Sequence, residues 1–361
     1  MRVKLEEVCS RGSSNLMKKE VASMDGKYPI YGASGQIGTA NFYHQEKPYV
    51  AVVKDGAGIG RTMLLPAYSS VIGTLQYLIP KHNVLPDYLC YVVQYMNLAK
   101  YSSGATIPHI YFRDYKNEEF NLASVDRQQE IVTTLNKIQR IITCRRTQLS
   151  KLDELIKCRF MEQFGGPGIQ SRYPTVTLGS ISNMISGGTP SSKHPEYFGG
   201  NIPFVSTPCL GPNFIDASAA QNWLTELGVQ MSSTHIVPAN SLMVGNRVGV
   251  GKSSINTCEM CTNQDILSFV DINTDKFDLL FVKKVIEQYG PIFESQKRGA
   301  TIKGVPSDLV KASQIPQVPI DVQRAFVGFV RQTDKFKFVI QQSLDETQKL
   351  FDSFMQEYFD S

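Results

Sequence analysis

The sequence predicts an α+β chain: two globular mixed α/β heads separated by two long helices that form an antiparallel coiled coil. Three observations predict it. First, Gly104-Ala105-Thr106-Ile107 recurs as Gly299-Ala300-Thr301-Ile302, an offset of 195. The same register, without gaps, pairs Lys116 with Lys311, Asp126 with Asp321, Gln128 with Gln323, Leu149 with Leu344, Leu155 with Leu350, Glu162 with Glu357 and Phe164 with Phe359. A repeat this long is the duplication of a domain with its tail, not a solenoid. Second, each copy ends in a stretch with helical apolar spacing. Third, the segments before those stretches are rich in Gly, Tyr, Val and Ile with frequent turn signals, as short strands require.

In chain order, residues 1–122 form the first head and 123–165 the first long helix. From Asp126 to Phe164 there is neither Pro nor Gly. Ile131, Leu135, Ile138, Ile142, Leu149, Leu152 and Ile156 step by fours and threes, a heptad seam interrupted by Arg145 and Arg159. Residues 166–172 are a linker, opened by the helix-stopping run Phe164-Gly165-Gly166-Pro167-Gly168. Residues 173–317 form the second head, closed by Pro316-Gln317-Val318-Pro319. The distal helix, 318–361, carries Phe326, Val330, Ile340, Leu344, Phe351 and Phe354 on its seam, with Thr333, Lys337 and Thr347 as interruptions. Residues 126–164 hold eight Lys/Arg against five Asp/Glu, and residues 321–361 hold five against seven. Opposite net charge and an apolar stripe too long to leave in water predict that the two helices pair with each other.

With 361 residues, 42% apolar and 19% charged, the chain can bury two cores and is not a disordered segment. No apolar run reaches the roughly 20 residues of a membrane span, and Met1-Arg2-Val3-Lys4-Leu5-Glu6-Glu7 lacks a secretory apolar stretch. The expected location is the cytoplasm, with no membrane partner. Seven scattered cysteines read as reduced thiols. Cys258 and Cys261 form one C-x-x-C pair without the second pair or the histidines that a zinc site needs, so no metal is expected. A net charge of +4 permits nucleic-acid binding without demanding it.

The order head, helix, head, helix resembles the specificity subunits of type I restriction-modification systems, and local motifs agree. Ser186-Gly187-Gly188-Thr189-Pro190-Ser191, continuing through His194-Pro195-Glu196-Tyr197-Phe198-Gly199-Gly200 to Ile202-Pro203-Phe204-Val205-Ser206, looks like the opening of that family's target-recognition domains. So does Asn263-Gln264-Asp265-Ile266 after Val250-Gly251-Lys252. In the first head, Tyr28-Pro29-Ile30-Tyr31-Gly32-Ala33-Ser34-Gly35 and Lys54-Asp55-Gly56-Ala57-Gly58 match a common variant. Pro316-Gln317-Val318-Pro319 with Gln323 resembles the usual start of the conserved helix. The first copy departs there, with Asn121, Ala123 and Ser124 and no proline.

The resemblance implies a non-catalytic DNA reader. Each head would read one half of a bipartite double-stranded target. The helices would dock two methyltransferase subunits, and motor-nuclease subunits would join for restriction. The chain itself would carry no cofactor; S-adenosylmethionine would sit on the adenine-methylating partner. Thirty-nine residues of helix, 126 through 164, span roughly 58 Å at ~1.5 Å each, against about 34–36 Å per turn of B-DNA, enough to hold two heads over different turns. Three alternatives stay open from sequence: a specificity module for a fused methyltransferase-nuclease system, a free-standing nucleotide-using enzyme, and a purely structural coiled-coil adaptor.

Candidate DNA contacts are basic or amide side chains beside turns and strand ends, since phosphates take Lys and Arg and bases take Arg, Gln and Asn. They are Lys54, Arg61, Gln76 and Arg113 in the first head, and Lys193, Arg247, Lys252, Gln264, Lys297, Arg298 and Lys303 in the second. Lys297-Arg298 stands out because the small residues after it let backbone approach phosphate. Gly32-x-x-Gly35-x-x-Gly38 and Gly56-x-Gly58-x-Gly60 lack the Lys-Ser/Thr or βαβ context of nucleotide loops and read as hairpin and bulge glycines. The five histidines show no metal spacing, and His109, beside Pro108 and Tyr111, reads as structural.

Overall fold

The computed structural model describes residues 1–56, 58–104, 108–167, 171–299 and 303–360. The chain divides into two compact units, Met1–Thr147 with Ile340–Ser361, and Gln148–Val339. Each unit therefore holds one head together with parts of both long helices.

In the first unit, four antiparallel strands lie in the order Cys9–Ser13, Leu75–Pro80, Tyr49–Val53, Thr62–Leu65. Tyr49–Val53, the run Tyr-Val-Ala-Val-Val, is buried at every position. Its β-branched residues suit a pleated strand covered on both faces. Tyr49, Ala51 and Val53 share a core with Ile30 and Val71, which belong to the smaller sheet of Tyr28–Gly32, Gly35–Ala40 and Ser70–Val71. Helix Pro86–Tyr95, opened by proline at its first position, packs against the same strands. Arg2–Lys4 pairs antiparallel with Glu119–Asn121 and brings the two ends of the head together at the foot of the long helix.

The second unit repeats this plan. Asn183–Ser186, Ile266–Val270, Leu242–Gly245 and Ser253–Asn256 take the same order and the same antiparallel sense, and Phe214–Ile215 adds a parallel edge strand. A second sheet of Asn222–Leu224, Phe198–Val205, Met260–Thr262 and Ile236–Val237 replaces the three-stranded one. Helix Leu279–Gln288 stands where Pro86–Tyr95 does and starts at Asp278, whose carboxylate accepts from the amides of Leu280 and Phe281. Thr175–Thr177 and Gln314–Pro316 close this head as Arg2–Lys4 and Glu119–Asn121 close the first.

The long helices are Val125–Phe164 and Ile320–Phe359, 40 residues each, and their bounds repeat at the 195 offset. In the first unit, Arg127 stacks 5.6 Å over the Tyr358 ring and Arg146 donates to Gln348 at 3.3 Å, so the chains run antiparallel. In the second unit, Lys337 pairs with Asp153, and Phe160 and Phe164 meet Phe326 edge-on at 5.5 and 5.4 Å. Phe281 from the head joins this aromatic cluster, each such pair adding about 0.5–1.5 kcal/mol beyond its burial. The expected seam is buried at Ile131, Leu135, Ile138, Ile142 and Ile156, and at Phe326, Val330, Leu344 and Phe351. Two of its interruptions are absorbed: Arg159 lies 4.2 Å over the Phe329 ring, and buried Thr333 donates to Phe329 O at 2.9 Å. The Lys337–Asp153 pair runs against the net-charge difference of the helices, which therefore rests on side chains away from this contact.

One repeated residue ties each head to its helix. Gln128, fully buried, donates through Nε2 to Asn83 O and Ala123 O (both 3.0 Å) and accepts at Oε1 from Leu85 N (2.9 Å). Gln323, also fully buried, donates to Lys276 O (2.9 Å) and Val318 O (2.7 Å) and accepts from Asp278 N (2.8 Å). Both clamp the turn before the head's helix to the first turn of the long helix. Among the described residues, no helix is long and apolar enough to cross a membrane.

Candidate nucleic-acid interface

Several of the sequence-selected residues lie where an inner strand of each head ends, and backbone hydrogen bonds show that the two places are built alike. In the first head, Lys54 donates to Thr74 O (3.0 Å) and its carbonyl accepts from Ile110 N (3.0 Å). Val53 donates to Arg61 O (2.9 Å), Gly60 donates to Val53 O (2.8 Å), and Ser103 and His109 exchange a pair of bonds at 2.9 and 2.8 Å. In the second head, Asn246 donates to Asp265 O (3.0 Å) and accepts from Val305 N (2.6 Å). Gly245 donates to Lys252 O (2.9 Å), Gly251 donates to Gly245 O (3.0 Å), and Arg298 and Gly304 exchange bonds at 2.8 and 2.9 Å.

The correspondence is residue by residue: Lys54 with Asn246, Asp55 with Arg247, Gly60 with Gly251, Arg61 with Lys252, Thr74 with Asp265, Ser103 with Arg298, His109 with Gly304 and Ile110 with Val305. Gly60 and Gly251 hold φ near +80° (+79° and +78°), and a Cβ on either would strike backbone, Ala99 N at 2.6 Å or Gly290 Cα at 2.9 Å. Only glycine fits there. Gly56 and Gly58 also have positive φ, as turn glycines do.

In the first head, Lys54, Gln76 and Arg113 line one cleft of about 240 Å³ with Arg11, Ser13 and Tyr111. Arg113 is 77% exposed, and its guanidinium lies 4.7 Å over the Tyr111 ring, an arrangement that orients the donor fork. Gln76 is a floor residue, buried in its strand, with Oε1 accepting from Tyr115 Oη at 3.0 Å. Asp55 Oδ1 lies 2.7 Å from His109 Nδ1, and its other oxygen 3.8 Å from Lys54 Nζ. Arg61 is held apart from the cleft, donating to Ala33 O at 3.0 Å.

In the second head, Arg247 Nη1 lies 3.6 Å from Asp265 Oδ1. Its Cγ would be 2.7 Å from a Cβ on Gly304, so the loop carrying Arg298 and the loop carrying Arg247 touch. Asn246 Oδ1 beside them is buried with no hydrogen-bond partner. Lys252 and Arg298 are exposed on the same two loops, and Lys303 is exposed next to Gly304. Gln264 accepts from Thr189 Oγ1 and so ties Asn263-Gln264-Asp265 to the Gly187-Gly188-Thr189 loop. Lys297 pairs with Glu294 at 2.6 Å. Lys193 lies in the exposed turn after Ser191, ahead of Phe198–Val205 in the chain. The repeated Ala-Thr-Ile segments, 105–107 and 300–302, lie outside the described residues.

Sequence reasoning passed over Arg11, the Asp55–His109 pair and Asn246. Their neighbourhood arises from strand pairing across more than 50 residues, and no local motif announces it. Among the described residues, no group of three or more His, Cys, Asp or Glu could hold a metal ion.

Residues 1–154 and 170–347 match the family described as type I restriction modification DNA specificity domain. A specificity subunit of a type I restriction enzyme from Escherichia coli is 28% identical over 170 residues, covering 44% of this chain and 40% of that protein. The chain thus aligns with less than half the length of this curated relative. Among solved structures, a type I restriction-modification S subunit from M. genitalium superposes with a TM-score of 0.60 at 15% identity, over 100% of this chain and 96% of that one. A chain from a structure concerned with complex assembly and conformational transition of the type I R-M system gives 0.57 at 14% identity, over 99% and 97%. These two likenesses bear on the fold; the family match, which covers most of the sequence in two blocks, carries the assignment. The chain belongs to the type I restriction modification DNA specificity domain family.

Proposed function

We propose that this chain is the non-catalytic specificity subunit of a type I restriction-modification complex, each head reading one half of a bipartite DNA target. The observation that carries the reading is the shared backbone frame. Two heads keep the same hydrogen bonds at the end of an inner strand, and the side chains mounted there differ. A frame that is held while its exposed side chains change is what two readers of unlike half-sites require. Lys54, Arg61, Arg113, Lys193, Arg247, Lys252, Gln264, Lys297, Arg298 and Lys303 are proposed to reach DNA, with Gln76 as a floor that sets the first head's cleft. The chain is proposed to act in the cytoplasm, where its DNA is.

The helices support partner docking. Ile141 and Leu350 are 45% and 50% exposed on the helices of the first unit, and Phe336 and Leu155 are 58% and 48% exposed on those of the second. The 195 offset exchanges these pairs: Ile141 corresponds to Phe336 and Leu155 to Leu350. Two equivalent apolar seats suit two copies of one partner, proposed to be methyltransferase subunits that carry S-adenosylmethionine. Motor-nuclease subunits would join the assembly for restriction.

The test is the host's adenine methylome with and without this chain. One split motif should vanish on deletion, and exchanging residues 1–120 for a homologous head should change one half of it. Persistence of the motif, or alteration of both halves, overturns the reading.

A further inference from the structure

Asp55 and Arg247 occupy the same position of the shared frame, each one residue past the strand-end residue whose N–H and C=O make matched bonds. Their charges are opposite. Both side chains are partly exposed, Asp55 at 30% and Arg247 at 47%. Each is steadied by a group of opposite character from the same frame. His109 stands 2.7 Å from Asp55, and Asp265 stands 3.6 Å from Arg247. The supporting residues have changed with them. Gly304 replaces His109 in the second head and leaves room for the arginine stem, and Thr74 replaces Asp265 in the first. The exchange is therefore concerted across three positions, as expected of a working position and not of random surface drift.

An ionised carboxylate can only accept hydrogen bonds, and a guanidinium can only donate them. In the major groove, cytosine N4 and adenine N6 offer donors, while guanine O6 and N7 offer a pair of acceptors that fits the arginine fork. Resting on the proposed role as a specificity subunit, we infer that the 55/247 position reads a base in each head, and that the two half-sites present it with opposite hydrogen-bonding sense. Arg247 faces a guanine in the half read by the second head. Asp55 faces the amino group of a cytosine or adenine in the half read by the first.

The experiment uses the full chain assembled with its methyltransferase partner in a host free of other adenine methylation, with the motif read from the methylome. Head exchange first assigns each half. The half belonging to the second head must contain a fixed G·C pair; a half fixed only at A·T pairs overturns the inference with no variant made. Arg247→Ala should then make one guanine degenerate, with discrimination there falling roughly 5- to 150-fold, and Arg247→Lys should retain part of it. Asp55→Ala should relax one position in the other half alone. In each case the untouched half serves as the folding control. An even loss of methylation over all sequences with the motif unchanged would make Arg247 a phosphate contact and overturn the inference, as would an unchanged motif at an unchanged rate. Failure of the specificity role itself is distinguishable, because the motif would then survive deletion of the chain.

Discussion

Replacing Gln323 by leucine should loosen the second head from the distal helix, and the size of the effect follows from its hydrogen bonds. The side chain is fully buried and makes three contacts: to Lys276 O at 2.9 Å, to Val318 O at 2.7 Å and from Asp278 N at 2.8 Å. A net 0.5–1.5 kcal/mol per bond gives about 3 kcal/mol, and leucine has nearly the same bulk, so cavity formation adds little. Three backbone groups at a helix start lose their partner, which keeps the estimate from being an overcount. In a unit of this size, about 3 kcal/mol lowers Tm by roughly 6–12 °C. Gln128→Leu removes the same set of bonds in the first unit and should cost a similar amount, and because the two residues share no partner the double variant should be additive within about 0.5 kcal/mol. Calorimetric unfolding of the four proteins is the assay. A loss below about 1 kcal/mol for either single variant would refute the claim that these glutamines fasten head to helix.

Phe336→Asp with Leu155→Asp should release one of two methyltransferase copies, read by native mass spectrometry, with little change in Tm because both side chains are already exposed. Loss of both copies, or of neither, would count against separate seats. Arg61→Ala and Lys252→Ala should each reduce the slope of log affinity for DNA against log salt by about one and weaken all sequences alike; a change of motif instead would make them base readers. Burial pushes the Glu287 carboxyl up, but Lys283 and Lys284 outweigh it and hold it below its ordinary 4.5. A depressed carboxylate contributes stability that is present above its unfolded value and lost as pH falls through its folded value. The second unit should therefore weaken more steeply below pH 4.5 than the Glu287→Gln variant does. That variant should be less stable at pH 7, because it leaves the fully buried Lys283 without its counter-charge; parallel acid titrations of the two proteins would contradict this.

The helices were legible in the sequence to within two residues of their ends, because an apolar seam at heptad spacing and a constant offset are local signals that burial enforces. Val125–Phe164 forms without the prolines that introduce Ile320–Phe359, since the Gln128 clamp reproduces the same start from a different sequence. Within the heads, legibility stopped at residue type. Gln76 reads as a polar side chain at a strand end, yet it is buried, because its strand is covered on both faces and the Tyr115 hydroxyl satisfies its carbonyl. Arg11 sits in Cys-Ser-Arg-Gly-Ser, a stretch without β-branched residues, and becomes a strand residue only by pairing with Leu78. Tertiary pairing overrode propensity there.

The equivalence of Asp55 and Arg247 shows in what the backbone does, although the segments just after them, Gly58-Ile59-Gly60-Arg61 and Gly249-Val250-Gly251-Lys252, are alike in residue type. Lys54-Asp55 and Asn246-Arg247 share no residue, and the loops after them differ in length, since Lys54 to Arg61 spans one residue more than Asn246 to Lys252. What persists is the set of main-chain bonds and the glycine at 60 and 251, whose positive φ a glycine takes without strain. Stability thus constrains the main chain at this place and leaves the outward side chains free. On the proposed reading, a duplicated head can change the base it faces while its main-chain frame holds, provided that the supporting side chains change with it. The corollary is severe: transplanting His109 onto Gly304 should damage the second head, because a Cβ there would sit 2.7 Å from Arg247 Cγ, so Asp55 and its partner can be exchanged between heads only as a set.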